Sequence, residues 1–163
     1  MRGFTKIELI VALAIVGILA SLSAVALNSA RERARDAKRI ADVSRTQVAL
    51  ELYFNDHNSY PALTSATALG SSAARCLAGE GFTPSCNTQT ESVYMERVPS
   101  TPTDGLDELV GCSGVENAYC YVGSAESYRI QFEVENANPE AKLESGVNCA
   151  TETGIVAGAC EAL

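Results

Sequence analysis

The sequence predicts an α+β fold in which one long N-terminal α-helix packs its C-terminal half on a small antiparallel β-sheet of three or four strands, with disulfide-stapled loops. Three observations lead to this expectation. An uncharged, proline-free run from Leu9 to Leu27 continues into a segment without glycine or proline as far as Phe54, which is typical of helix. Residues 127–134 alternate between apolar and polar side chains, as a half-buried strand does. All six cysteines lie beyond residue 75, in the region expected to hold the sheet.

The apolar run near the N-terminus has the length of a membrane span. At about 1.5 Å per residue, a helix over residues 9–27 is about 28 Å long, close to the roughly 30 Å hydrocarbon core of a bilayer. Glu8 stands at the edge of this run, where an unpaired carboxylate is costly. It is therefore a candidate functional residue that needs a positively charged partner.

The residues before Glu8 indicate what that partner is. Gly3, Phe4 and Glu8 follow one another as in the N-termini of type IV pilins and pseudopilins, a family that this chain resembles: a short basic leader ends in glycine, phenylalanine follows, and glutamate is fifth after the glycine. The resemblance implies that a membrane-embedded prepilin peptidase cleaves between Gly3 and Phe4, and that Phe4 is then N-methylated. It also implies that Glu8 forms an assembly ion pair with the Phe4 ammonium of a neighbouring subunit. Lys6 departs from the family pattern, which usually has a hydrophobic residue there.

The helix is expected to continue beyond the membrane span as an amphipathic segment, residues 28–57. Apolar residues at three- and four-residue steps predict one face against the core. Arg35, Lys38 and Arg39 can pair with Asp36 and Asp42 along the helix, at a few tenths of a kcal/mol for each pair. The predicted core face holds Ala37, Ile40, Ala41, Val43, Ser44, Val48, Leu50, Leu52 and Phe54, and the opposite face holds Arg31, Arg35, Asp42, Arg45 and Glu51.

Two features bear on how this helix ends and whether it is interrupted. The polar cluster at 55–59, followed by Tyr60 and Pro61, predicts its end, and a similar tyrosine-proline sequence closes the long helix of pilins. Gly17 and the serines that follow it are weak helix formers. Residues 17–24 therefore either unwind locally or provide small side chains for close helix packing.

The remaining residues, 58–163, are predicted to form a globular head outside the cytoplasm. Residues 118–122 and 127–134 are expected to be strands joined by a hairpin turn at 123–126. Residues 62–92 are expected to be an irregular loop with one short helix, and the tail 136–163 to be held in place by a disulfide. The segment from Tyr94 to Pro99 is similar to a tyrosine-x-x-x-valine-proline segment of major pseudopilins.

The cysteines indicate disulfides formed outside the cytoplasm. Their number is even, and none of the three successive pairs has the CxxC spacing of structural zinc sites, although zinc is the competing interpretation. Nearest-neighbour pairing is preferred among fifteen connectivities because short loops close easily. It joins Cys76 to Cys86, Cys112 to Cys120, and Cys149 to Cys160.

The net charge of −8 is unevenly distributed. Residues 1–45 hold eight of the twelve Lys and Arg but only four of the twenty Asp and Glu, so the rest of the chain is strongly acidic. An acidic head argues against nucleic acid as its main partner. The basic residues at 31–45 would, by the positive-inside rule alone, keep the head in the cytoplasm. The cysteines and the pilin resemblance indicate a head outside the cytoplasm, and this is the location that we expect.

Catalytic and cofactor motifs are not visible. His57 lies in the turn that ends the helix, and we expect a surface residue there rather than a ligand or base. We therefore expect no enzymatic activity, no cofactor and no small-molecule substrate. In some pseudopilins, acidic residues shortly after the tyrosine-x-x-x-valine-proline segment bind calcium. Asp104, Asp107 and Glu108 are therefore weak calcium candidates, with a solvated acidic turn as the alternative.

The sequence as a whole is interpreted as leader 1–3, filament-core helix 4–27, helix continuation 28–57 and head 58–163. The leading interpretation is a pilin that polymerises into a type IV pilus-like surface filament for adhesion, motility or DNA uptake. One alternative is the major pseudopilin of a type II secretion system, and another is a membrane-anchored adhesin that never polymerises. Expected partners are copies of the same subunit, inner-membrane lipid before assembly, and, by resemblance, prepilin peptidase and the pilus assembly machinery. The precursor is expected in the cytoplasmic membrane with its head outside, and the assembled filament outside the cell.

Overall fold

The chain is built on one helix, α1, which runs from Lys6 to His57 in this computed structural model. The structure describes residues 5–86, 92–102 and 104–161. Thr5 caps the start of α1, and Asn58 ends it in a left-handed conformation with φ 53°. At about 1.5 Å per residue the 52 residues form a rod about 78 Å long. The predicted helix and its end within residues 55–59 are confirmed.

Helix α1 is continuous through residues 17–24. The hydroxyls of Ser21 and Ser23 donate to the carbonyl oxygens of Ile18 and Leu19 at 2.7 and 2.8 Å, so these polar side chains are satisfied inside the helix. A Cβ added at Gly17 would meet nothing within 4 Å. In the single chain this position is therefore an open surface that a second helix can approach closely.

Three antiparallel sheets form the described part of the head. The largest has five strands in the order β1-β7-β8-β9-β10, a second has the order β3-β2-β4, and β5 pairs with β6. The predicted hairpin is confirmed as β7 and β8, which pair from Gly123 opposite Tyr128 to Cys120 opposite Gln131. The strands are β1 (Leu63–Ala68), β2 (Cys76–Ala78), β3 (Gly81–Thr83), β4 (Val93–Met95), β5 (Gly111–Cys112), β6 (Val115–Glu116), β7 (Cys120–Gly123), β8 (Tyr128–Val134), β9 (Gly146–Thr151) and β10 (Gly154–Ala157).

The head contains more sheet than the sequence predicts. The main sheet has five strands instead of three or four, because the tail supplies the hairpin β9–β10 around a tight turn at Glu152 and Thr153. The expected short helix between residues 62 and 92 is wrong for the described part, which forms β1, β2 and β3. These strands are held by backbone pairing with strands distant in sequence or across a tight turn. Apolar alternation, the signal used for prediction, is weak in them.

The core lies between the C-terminal half of α1 and the main sheet. Val43, Leu50 and Tyr53 of α1 pack against the inner face of β7 and β8, where Tyr121, Ile130 and Phe132 are buried. The predicted core face is only partly right. Val48 and Leu52 are 61% and 53% exposed, whereas the buried face follows Asp36, Arg39, Asp42, Val43, Thr46, Ala49, Leu50 and Tyr53.

Three disulfides close the loops of the head. They join Cys76 to Cys86, Cys112 to Cys120, and Cys149 to Cys160, with Cα atoms 5.5, 5.9 and 5.0 Å apart. These are the nearest-neighbour pairs preferred from the sequence. Each one ties a buried strand to a more exposed segment, so the small sheets and the C-terminal segment are held to the core.

Candidate assembly site

The N-terminal half of α1 is an apolar surface that the single chain does not cover. The large apolar side chains named below, from Ile7 to Leu27, are all exposed, whereas the first buried residue of α1 in the described part is Asp36. By length and composition this helix can cross a membrane, and none of its most apolar window is buried. So large an apolar surface requires lipid or other helices around it. The exposed residues are Ile7, Leu9, Ile10, Val11, Leu13, Ile15, Val16, Ile18, Leu19, Leu22 and Leu27.

Glu8 takes part in the cap of this helix. The backbone N–H and the hydroxyl of Thr5 both donate to Glu8 Oε2, at 2.8 and 2.9 Å, and the Glu8 N–H donates to Thr5 Oγ1 at 3.2 Å. This reciprocal arrangement is a capping box, which satisfies two otherwise unpaired helix donors. Both bonds to the carboxylate end on Oε2, so Oε1 points to no donor among the described residues. Gly3 and Phe4, the predicted cleavage pair, lie outside the described residues.

A cluster of four charged side chains joins α1 to the head. Arg39 is 0% exposed, and its Nη1 donates to Asp36 Oδ1 at 2.8 Å and to Glu135 Oε1 at 2.6 Å. Arg35 makes a two-pronged contact with the same Glu135, its Nε lying 2.6 Å from Oε1. Burial by itself would raise the pKa of Glu135, but the hydrogen bonds from Arg35 and Arg39 outweigh it and hold this pKa below its ordinary value.

The same cluster holds two loops of the head. Arg39 Nη2 donates to the carbonyl oxygens of Pro102 and Asp104 at 2.9 and 2.6 Å, which fixes the loop before β5. The Asp36 carboxylate accepts the backbone N–H groups of Glu135 and Asn136, both at 2.9 Å, which fixes the loop after β8. One turn of α1 therefore positions two segments that are distant from it in sequence.

Gly105 shows how closely the first loop approaches the cluster. Its φ of +76° lies in the region that favours glycine, and an added Cβ would lie 2.2 Å from Glu135 Oε2 and 2.9 Å from Arg35 Nη2. No side chain fits there unless the Glu135 carboxylate moves. The loop thus closes over the ion pairs and contributes to their burial.

The sequence interpretation of these charges was right about the pairs Asp36–Arg39 and Lys38–Asp42 but wrong about their exposure. Asp36, Arg39 and Asp42 were expected to form weak pairs on the helix surface, and Asp42 was assigned to the solvent face. All three are buried, and Asp42 accepts from Lys38 Nζ at 2.9 Å. A signal was present, because these residues repeat every three positions in phase with Val43 and the rest of the buried face. The partner Glu135 could not be found this way, since nothing local in the sequence links it to α1.

The calcium candidates do not converge on one point. Asp104 uses its carbonyl oxygen for Arg39, and the N–H groups of Asp107 and Leu109 donate to the Glu133 carboxylate at 2.7 and 3.0 Å. Within residues 5–86, 92–102 and 104–161, no group of three or more His, Cys, Asp or Glu side chains is arranged to hold a metal ion. In this part of the chain the side chains of Asp104, Asp107 and Glu108 are thus not grouped as a metal site.

His57 lies at the surface, as expected from its place in the terminating turn. Its ring stacks on Tyr53 with ring centroids 4.1 Å apart, and Tyr94 lies edge-on at 5.8 Å. Its Nδ1 lies 3.1 Å from the carbonyl oxygen of Tyr53. These contacts give the histidine a packing role at the end of α1.

The fold and the exposed helix together define a class of protein: membrane-anchored subunits that assemble through an apolar N-terminal helix and carry an α+β head. Curated proteins with similar sequences support this class. Type II secretion system core protein G of Escherichia coli strain K12 is 30% identical over 118 residues, which cover 72% of this chain and 77% of that protein. The proteins of the same name from Klebsiella michiganensis and Klebsiella pneumoniae are 31% and 32% identical, over 67% and 62% of this chain and 72% and 68% of theirs. The chain therefore belongs to the family of type IV pilins and type II secretion pseudopilins, and it is a pilin-like filament subunit.

Two further comparisons add no match. No protein-family model matches the chain, and no solved structure matches it significantly. The family assignment thus rests on the curated relatives, and the fold agrees with it.

Proposed function

We propose that this chain is the major pseudopilin of a type II secretion system, the subunit that polymerises into the periplasmic filament of that machinery. The observation that carries the proposal is the shared name of its relatives from Escherichia and Klebsiella, type II secretion system core protein G. The sequence alone favoured a surface pilus, mainly because three disulfides suit an exposed fibre. Disulfides also form in the periplasm, so they do not separate the two.

The uncovered half of α1 supports polymerisation. In a monomer these apolar side chains are covered by lipid, and in a filament they are covered by the same helices of neighbouring subunits. When helices replace lipid, they must approach one another closely, and small side chains allow this. Gly17 is small, and Ser21 and Ser23 are small residues whose hydroxyls already donate to carbonyl oxygens of the same helix. A binding protein that stays monomeric would need the membrane span but not this open helix surface.

The proposed assembly contact joins Glu8 of one subunit to the ammonium of Phe4 of the next, after cleavage between Gly3 and Phe4 and methylation of Phe4. In the single chain the Glu8 carboxylate is bound through Oε2 by its own Thr5, which orients it at the helix start. Oε1 accepts no bond from the described residues, so a neighbouring ammonium can bind without breaking the cap. An ion pair shielded by lipid and helices neutralises both charges.

The remaining assignments follow from the same proposal. The precursor sits in the cytoplasmic membrane with residues 4–27 in the lipid and the head outside, where prepilin peptidase and the secretion assembly machinery act on it. The function is structural, without catalysis and without a small-molecule substrate. Mass spectrometry of the assembled protein is expected to find an N-terminus at Phe4, and an intact Met1 in filaments would contradict the processing step.

Deletion of the gene in its own host tests the proposed function. We expect proteins normally found in the medium to accumulate in the periplasm, while surface filaments recovered by shearing are unchanged in number. Complementation with the wild-type gene should restore secretion. Loss of sheared surface filaments with an unchanged set of secreted proteins would instead establish the surface pilus, and loss of neither would favour the non-polymerising adhesin.

A further inference from the structure

The guanidinium of Arg39 occupies a cage in which every described hydrogen-bond partner is an oxygen atom. Its nitrogens contact Asp36 Oδ1, Glu135 Oε1 and the carbonyl oxygens of Pro102 and Asp104, at distances of 2.6 to 3.3 Å. The side chain is fully buried. Two carboxylates and two backbone carbonyls are the ligand types that calcium takes in proteins, but here a protein side chain fills the centre.

A metal ion and this guanidinium exclude each other. Arginine keeps its positive charge at every accessible pH, so a divalent cation in the same cage would meet an unrelieved like charge. The neighbouring Glu133 carboxylate is also engaged, since it accepts the backbone N–H groups of Asp107 and Leu109 and so holds the next part of the loop. Hydrogen bonds from Arg39 and to Glu133 thus hold the loop that a bound cation would otherwise hold.

We propose that Arg39 takes the place of a bound cation in the head. It ties Pro102, Asp104 and the loop after β8 to α1, so that the head folds and stays folded without calcium. This inference concerns the head alone and does not depend on which filament the subunit builds. It separates this chain from pseudopilins in which acidic residues bind calcium.

The charge balance of the cage supports this role. Arg35 and Arg39 face Asp36 and Glu135, so the four side chains sum to zero, and Asp104 and Glu32 lie near Arg35. Removing the Arg39 guanidinium leaves one cation against two carboxylates and leaves two carbonyl oxygens unpaired. The emptied cage would then have the charge and the ligands to attract a divalent cation.

Thermal unfolding of the full chain in detergent micelles tests the proposal. The near-ultraviolet circular dichroism of the tyrosines is a suitable signal, because the chain has six tyrosines and no tryptophan. For the wild type we expect the same Tm with an excess of chelator as with millimolar calcium. A wild-type Tm that falls when calcium is removed would overturn the proposal without any variant.

Arg39→Ala provides the second arm. We expect a lower Tm in chelator and a partial recovery in calcium, roughly 5–10 °C if calcium reaches a hundredfold excess over its dissociation constant. Lys38→Ala is the matched control, since it removes a neighbouring helix cation that is exposed and outside the cage; it should show no calcium response. An Arg39→Ala chain that stays unfolded or unchanged in calcium, or a Lys38→Ala chain that responds equally, would overturn the proposal.

Arg39→Lys separates charge from shape. Lysine keeps the positive charge but lacks the planar fork, so we expect a folded chain with a lower Tm that does not respond to calcium. A calcium response as large as that of Arg39→Ala would mean that the charge in the cage is not what replaces the metal, and the proposal would be wrong.

Discussion

Gly105→Ala is expected to destabilise the head through the charge cluster rather than through its own backbone. A Cβ at this position would lie 2.2 Å from Glu135 Oε2. In solvent a carboxylate at the end of a flexible side chain would swing aside at little cost. Here Arg35 and Arg39 hold both oxygens of Glu135, so the movement breaks at least one hydrogen bond between charged groups.

The magnitude follows from two contributions. An L side chain at φ +76° costs about 1–2 kcal/mol, and the loss of one hydrogen bond between charged groups costs about 1.5–3 kcal/mol more. Gly114→Ala isolates the first contribution, because Gly114 has φ +72° and a Cβ there would meet nothing within 4 Å. Gly105→Ala should therefore be less stable than Gly114→Ala by about 2 kcal/mol, or roughly 4–8 °C in Tm.

The assay is thermal unfolding of both variants and the wild type in the same detergent, followed by near-ultraviolet circular dichroism. Disulfide mapping of each variant is the control for correct oxidation. Equal Tm values for Gly105→Ala and Gly114→Ala would refute the reasoning, since the two would then share only the backbone strain. A Gly105→Ala chain as stable as the wild type would show that the loop does not close over the ion pairs.

Three further predictions concern other parts of the chain. The pKa of Glu135 is held below its ordinary value of 4.5, so the ionised side chain stabilises the head fully above that pH and loses this effect as the pH falls further. Glu135→Gln should therefore reduce the fall of Tm at acidic pH. A variant whose Tm falls with acid as steeply as that of the wild type would contradict this prediction. Glu8→Ala should leave membrane levels and disulfides normal but yield few or no filaments, with Glu8→Gln intermediate at best, as filament counts beside immunoblots will show; wild-type filament numbers in Glu8→Ala would end the ion-pair mechanism. Replacing Cys149 and Cys160 together by serine should lower stability by about 2–3 kcal/mol, because the bridge closes a loop with a sequence separation of 11 residues; denaturant titration measures this, and an unaltered midpoint would refute it.

The parts of the fold that sequence could predict are those that depend on local pattern. The length of α1, its end near Asn58 and the hairpin β7–β8 all come from runs, breakers and alternation within a few residues. Strands β1 and β9 carry no comparable signal, because their burial is decided by partners far along the chain. Pairing of Ala68 with Cys120, for example, depends on how the whole sheet assembles.

The residues of the candidate site also differ in whether local sequence could reveal them. Glu8 could be found from the sequence because its charge is out of place in an apolar run, and the structure then added its bond to Thr5. Arg39 could not be found by that reasoning, because a charged residue on a helix is ordinarily solvated. Its burial depends on contacts with Pro102, Asp104 and Glu135, which lie 63, 65 and 96 positions away in the sequence.

Folding and assembly therefore use different residues of the same helix. Among the described residues, the start of α1 is held by hydrogen bonds between Thr5 and Glu8, and its apolar side chains are left to lipid or to other subunits. From Asp36 onward, the buried face of the helix belongs to the head, and Arg39 anchors two loops to it. A subunit that must leave the bilayer and join a filament has to keep its head folded while the surroundings of its N-terminal helix change completely. Placing the charged anchor beyond the membrane span meets that requirement, because exchanging lipid for neighbouring helices alters none of the contacts of Arg39.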